Sequence, residues 1–183
     1  MAGDNDFVWD DSVESVEGGI WHYIGKADKV AIPHIIQGKQ VTSYSHMFVG
    51  TSVSGVYSDN PNVTDMNGMF WYSQATNLDL TYLDTSSVKN MNKMFFDSKA
   101  TSINLSNFDT SDVTDMGWMF SGSQTTTLDL SSFDTSNVNS MSQMFWGSKV
   151  TKGYARTQED ADRFNTLGSK PEGLTFVVKP KTN

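Results

Sequence analysis

The sequence predicts an α/β solenoid, with parallel strands along one side of a stack of coils and short helices along the other. Three observations predict it. A Val-Met-Met-Phe pattern recurs four times at an interval of 25 residues, beginning at Val63, Val88, Val113 and Val138. Each copy carries apolar residues at the same offsets, first at helical spacing and then in alternation. Turn residues, Asp-Thr-Ser above all, separate the two. A fixed period of this length marks supersecondary units that stack on one another.

The helical element follows from "NVTDMNGMF" (62–70), "SVKNMNKMF", "DVTDMGWMF" and "NVNSMSQMF". Positions i, i+3, i+6 and i+7 lie along one stripe of a short helix. Met66, Met91, Met116 and Met141 then form one column, and Met69, Met94, Met119 and Met144 a second. Phe70, Phe95, Phe120 and Phe145 form a third. Asp84-Thr85-Ser86 and its equivalents at 109 and 134 offer side-chain oxygens to the free N–H groups of a helix start. Downstream, "TNLDL", "TSINL" and "TTLDL" alternate as a half-buried strand does. Leu78, Ile103 and Leu128 face inward, as do Leu80, Leu105 and Leu130, and then Leu83, Phe108 and Phe133. Too little is buried within one unit to offset the entropy of ordering it, so each coil needs its neighbours. Methionine suits such an interior as an adaptable filler between identical layers.

The ends depart from the period. In "VTSYSHMFVGTS", Val41, Tyr44, Met47 and Phe48 fill the same columns, but the interval to Val63 is 22. Ahead of it, "WHYIGKADKVAIPHIIQGKQV" (21–41) predicts an N-terminal cap, with strands before Lys26 and near Val30 to Ile32, interrupted by Pro33 and Gly38. Beyond the repeats, "TQEDADRFNTLG" (157–168) places Ala161, Phe164 and Leu167 on one helical face, with Thr157 and Asp160 spaced as a capping box. "LTFVV" (174–178) reads as a final strand. The expected organisation is a flexible acidic segment at 1–20, a cap with a degenerate first repeat at 21–62, the repeats at 63–150 and a closing helix and strand at 151–183. Together they make one structural domain.

Charge and composition narrow the function classes. The 183 residues carry a net charge of −8 and no Lys/Arg run, a balance that repels phosphate backbones and anionic lipid. Nucleic acid is therefore excluded as an expected partner, and no apolar run is long enough for membrane insertion. Cysteine is absent, which removes disulfides and thiolate metal sites. The acidic start lacks a basic and an apolar leader region, as expected of a fragment of a longer protein.

Several columns carry groups capable of chemistry. Thioethers bind soft metals, but paired methionines at regular spacing with phenylalanine behind them read as core. Asp79, Asn104 and Asp129, and separately Asp84, Asp109 and Asp134, could serve calcium or acid–base work. Catalysis needs one differentiated constellation, and these recur alike in every unit, so solvated strand face and turn capping are the expected roles. His22, His34 and His46 are 12 apart but share no context, "GTSVSG" is not a nucleophile elbow, and "GGIWHYIGKA" misses the phosphate-loop spacing. No enzyme activity, cofactor or metal is expected. Recognition surfaces remain. If the strands line a concave face, its exposed columns are Asn77, Ser102 and Thr127, then Asp79, Asn104 and Asp129, then Thr81, Ser106 and Ser131, with Tyr154 in the last coil. Trp71, Phe96, Trp118 and Trp146 form a candidate aromatic patch able to stack on sugars or meet a partner, with partial burial as the alternative.

The units "NVTDMNGMF…LDL…LDTSS" and "DVTDMGWMF…LDLSSFDTSN" resemble the BspA-like leucine-rich repeats of bacterial surface proteins. "AIPHIIQGKQVTSYSHMF" resembles a neighbouring repeat type of that family, and "YARTQEDADRFN…LTFVV" the segment that closes such arrays. The likeness covers roughly Trp21 to Lys179. It implies a right-handed leucine-rich-repeat-like solenoid of about five turns, capped at both ends, in an extracellular protein of the Gram-positive cell wall. It also implies an adhesin that binds host extracellular protein, mucin or glycan, and a monomer is expected. A structural spacer projecting another adhesive domain, and a calcium-dependent or glycan-directed module, are the alternatives.

Overall fold

The computed structural model describes residues 2–10 and 20–180. The stack is a parallel β-solenoid. Its strand side has seven rungs: β3 (Lys29–Ala31), β6 (Gly55–Ser58), β7 (Asn77–Leu83), β8 (Ser102–Asn104), β9 (Thr127–Leu130), β10 (Lys152–Ala155) and β11 (Thr175–Val178). Six circuits separate seven rungs, one more than the sequence suggested. The rungs pair in parallel as β3-β6-β7-β8 and as β9-β10-β11. Where the two sheets meet, Phe108 and Phe133 stack at 6.0 Å and 3°, and the Ser132 hydroxyl donates to the Leu105 carbonyl at 2.8 Å.

The N-terminal region adds two antiparallel pairs, β1 (Phe7–Asp10) with β2 (Ile20–Tyr23), and β4 (Ile35–Ile36) with β5 (Lys39–Gln40). Part of the acidic start is thus a strand. Phe7 is buried against Tyr23 at 5.5 Å, which holds β1 to the core. The rest of that segment, 11–19, lies outside the described residues, as do residue 1 and 181–183.

The interior is the one the columns foretold. Val63, Val88, Val113 and Val138, the second methionine column and the whole phenylalanine column are buried, as are Met66, Met91 and Met116. Met141 is only partly buried, because the last coil has no further coil above it. In the first coil Tyr44 takes the methionine place. Its hydroxyl pairs with Ser58, and burial pushes the phenol up to about 12.

The expected short helices do not form. Met66, Gly68, Phe70 and Tyr72 donate their N–H groups across the stack, to the carbonyls of Asn90, Asn92, Met94 and Phe96 at 2.8–2.9 Å. The residues between them close tight turns within the coil: Met69 to Met66, Trp71 to Gly68 and Ser73 to Phe70, at 3.0–3.2 Å. Positive φ recurs once in each turn run at His46, Gly68, Lys93, Trp118 and Gln143, and again four residues on. A right-handed helix admits neither feature. Spacing is the cause. Adjacent strands lie about 4.8 Å apart, whereas packed helices need about 8–10 Å. The rings of Phe70, Phe95 and Phe120 repeat at 5.8 and 5.4 Å with interplanar angles of 6° and 12°, so the turn side keeps a strand-like pitch too close for helices.

Corners repeat with the same economy. Asp84, Asp109 and Asp134 each accept a bond from the backbone N–H two residues on, at 2.9–3.0 Å. The buried Thr85 hydroxyl donates to the Asp109 carbonyl and accepts from the Asp109 N–H, at 2.9 and 2.8 Å, and Thr110 treats Asp134 in the same way.

The last coil meets α1 (Gln158–Asn165), the α-helix among the described residues. Thr157 caps it, accepting from Asp160 N–H at 3.1 Å, which is one half of the expected capping box. Asp160 is buried and turns its carboxylate to Thr135, accepting from the hydroxyl at 2.7 Å and the N–H at 3.0 Å. Arg163 donates to the carbonyls of Thr135 and Val138. Phe164 and Phe176 cover Phe145 at 6.0 and 5.1 Å. Gly153 stands where earlier rungs carry Leu78, Ile103 and Leu128, and a Cβ there would lie 2.1 Å from the Phe176 ring. The missing side chain makes room for that ring.

Candidate functional site

Two outward surfaces carry the sequence candidates. On the strand side, Asn77, Asp79, Ser102, Asn104, Ser106 and Thr127 are exposed, and Thr81, Asp129, Ser131 and Tyr154 half-buried. Parallel pairing sets Asn77 beside Ser102, and Asp79 beside Asn104. Asp79 accepts from the Thr81 hydroxyl at 2.6 Å, and Asn104 donates across the coils to the same hydroxyl at 2.7 Å. The bond from Thr81 holds the Asp79 carboxyl below its usual range.

The structure does not gather these residues into one depression. Asn77, Asp79, Ser102 and Asn104 line a shallow depression of about 600 Å³ together with Asp28 and Lys29 of the first rung. Thr127, Asp129 and Tyr154 lie outside it, on the other sheet, as does Ser131 in the turn after β9. Asp129 pairs with Lys179 beyond β11. Burial pushes its carboxyl up, but the bonds from Lys179 and Ser131 outweigh that and lower it. Lys152 lies over the Tyr154 ring at 4.9 Å.

The turn side carries an aromatic ribbon. Trp71 meets His46 at 5.6 Å and Phe96 at 5.6 Å. Phe96 meets Trp118 at 5.9 Å, and Trp118 meets Trp146 at 6.0 Å. Tyr72 joins from the side, stacked on Trp71 at 5.5 Å. The column that holds Trp71, Phe96 and Trp146 holds Ser121 in the intervening coil, where the ring comes instead from Trp118, three residues earlier. Ser121 is buried, and its hydroxyl donates to the Trp146 carbonyl. Trp71, Phe96 and Trp118 are half-buried, while Tyr72 is 48% and Trp146 56% exposed. Trp146 also borders a depression of about 620 Å³ with Met141, Gln143 and Leu167. His46 and Tyr72 are ribbon members that the sequence reading passed over. Their columns hold other residue types in the next coils, which concealed them.

The remaining candidates for chemistry are scattered. His22 lies 3.7 Å from Asp10, His34 bonds Asp59 at 2.8 Å, and His46 bonds the Ser45 hydroxyl at 2.8 Å. Burial, then the charges of His22 and Lys93, lowers the His46 pKa. Among the described residues no three His, Asp or Glu side chains converge as a metal set would require.

A family model described as "Mycoplasma protein of unknown function, DUF285" matches residues 42–157. The chain belongs to the DUF285 family. The match runs from the first Met-Phe coil to the cap of α1, so the DUF285 region contains the whole ribbon and the strand-side candidates from Asn77 to Tyr154. Comparison with curated proteins and with solved structures gives no match.

Proposed function

We propose that this DUF285 chain is a non-catalytic recognition module of a bacterial cell-surface protein. It acts as an adhesin towards host extracellular protein, mucus or glycan. In this reading the array is a BspA-like repeat solenoid, a monomer, whose terminal segments cap the stack. The aromatic ribbon is the observation that carries the reading. Rings stay in contact from coil to coil even where the column is broken at Ser121, and the ribbon ends on a half-exposed tryptophan. Exposed Trp and Tyr combine a large apolar area with a polar tip and supply much of the binding energy of recognition surfaces. The polar strand side offers hydroxyl, amide and carboxylate groups to an extended ligand.

The second reading is a spacer, and the contacts of Trp71 favour it. That ring is covered by His46, Tyr72 and Phe96, as a ring serving only to stiffen the stack would be. Immobilised chain screened against mucin, fibronectin and a glycan array separates the two. Binding that falls about tenfold in Trp146→Ala supports the module, and no binding to any of the three supports the spacer. A calcium titration followed by thermal melting addresses the calcium-dependent alternative, which predicts a rise in Tm.

A further inference from the structure

One outward column breaks the repeat on the strand side. In register, Ala31, Tyr57 and Tyr82 sit on successive rungs. The next two coils carry Asn107 and Ser132 at this place. The two tyrosine rings stack at 5.4 Å and 16°. Tyr82 is 64% exposed, the most open of the large apolar side chains described. Interior columns repeat because every coil must fill the same space. An exposed ring stacked on a half-buried one, on two rungs alone, is not required for stacking, and leaving it in water is unfavourable.

The surroundings give the pair a ligand chemistry. At the rung before Tyr57 the column holds only the Ala31 methyl. Ala31, Ile32, Tyr57, Ser58, Asp59 and Tyr82 line a depression of about 350 Å³, the size of a small-ligand cleft. On its rim the Asp59 carboxylate is held by His34 Nε2 at 2.8 Å. Ser58 is occupied inside by Tyr44, so Asp59 and the two phenol groups provide the free edge. A flat face of ring carbons beside oriented acceptors and donors suits a molecule with C–H groups on one face and hydroxyls around its edge. The Asp59 carboxylate and a chain charge of −8 disfavour an anionic one.

We infer that the Tyr57–Tyr82 pair is a carbohydrate-binding platform for an uncharged hexopyranose unit, which stacks on the rings and hydrogen-bonds Asp59. The inference rests on the recognition reading and assigns it a ligand class and a place apart from the ribbon.

The test is calorimetric and saturation-transfer NMR titration of the whole chain with lactose, cellobiose and N-acetyllactosamine, with 3′-sialyllactose as the anionic counterpart. At least one uncharged sugar should bind, and 3′-sialyllactose more weakly. Tyr82→Asn, which installs the residue of the next coil, should weaken binding about tenfold. Asp59→Asn, at a fully open position, should weaken it several-fold without affecting folding, so the result does not depend on Tyr82→Asn alone. Binding that survives both Tyr82→Asn and Asp59→Asn overturns the platform and leaves the recognition module standing. Binding of mucin or fibronectin with none of the sugars overturns the ligand class. Absence of every ligand overturns the platform and the module together.

Discussion

Thr110 and Thr135 occupy equivalent corners, one inside the stack and one at its end. Thr110 exchanges two hydrogen bonds with the peptide of Asp134 in the next coil. Thr135 has no such coil, and the buried Asp160 carboxylate from α1 accepts from its hydroxyl and its N–H instead. Arg163 also donates to the carbonyls of Thr135 and Val138 of this last corner. A solenoid interior is self-templating: each coil presents donors and acceptors that only another coil can match. Ending it requires side chains that imitate a backbone, because unpaired buried polar groups cost about 1–3 kcal/mol each.

The comparison can be broken most strongly in the apolar file. Phe120→Ala, between Phe95 and Phe145, should cost about 3–5 kcal/mol in chemical denaturation. Phe145→Ala should cost about as much, since Phe164 and Phe176 fill the place of the next ring; a value near zero would show the end to be loosely packed. The methionines sharpen the contrast. Met116→Ala should cost about 2–5 kcal/mol, and Met141→Ala clearly less, because Met141 is only partly buried.

Asp160→Ala comes next, at about 2–3 kcal/mol, from the orphaned N–H and hydroxyl of Thr135. The same group gives a pH signature. Burial pushes the Asp160 carboxyl up, but the bonds from Thr157 and Thr135 outweigh it and hold the pKa below the ordinary carboxylate value. A lowered carboxylate contributes stability that is present above its unfolded pKa and disappears as pH falls through the folded value. Denaturation midpoints should therefore drop below about pH 4, and the drop should be smaller in Asp160→Asn. His46 acts one window higher and more weakly. Its pKa lies below 6.5, so its contribution is present above that pH and is lost as the pH falls through the lowered value. Replacing His46 by Gln should flatten the stability profile between about pH 7 and pH 5, read from urea midpoints.

What could be read from the sequence follows the same division. Columns that every coil repeats revealed the interior residue by residue, down to Tyr44 standing in for a methionine. The element type was not legible, because i, i+3 spacing brings side chains to one face both in a helix and in consecutive tight turns. Only the coil-to-coil pitch separates the two, and pitch is a property of the stack. The strand-side columns faced outward as alternation required. Whether they shared one depression depended on the break between β8 and β9, which no column shows, and the pairing of Lys179 with Asp129 from 50 residues away was equally out of reach. Tyr57 and Tyr82 were hidden by the search for sameness, since their column is informative through its break at Asn107. Thr157 and Asp160 were recognised as a cap spacing, yet the second task of Asp160, at Thr135, needs coordinates.

The most direct measurement is a double-mutant cycle between Thr135→Val and Asp160→Asn, with Thr110→Val and Asp160→Asn as the control pair. If the Asp160 carboxylate replaces the absent coil, the first pair should show a coupling of about 1–3 kcal/mol and the control should be additive within about 0.5 kcal/mol. Additivity in both pairs would contradict the account, because the stack would then end without any side chain imitating its next turn.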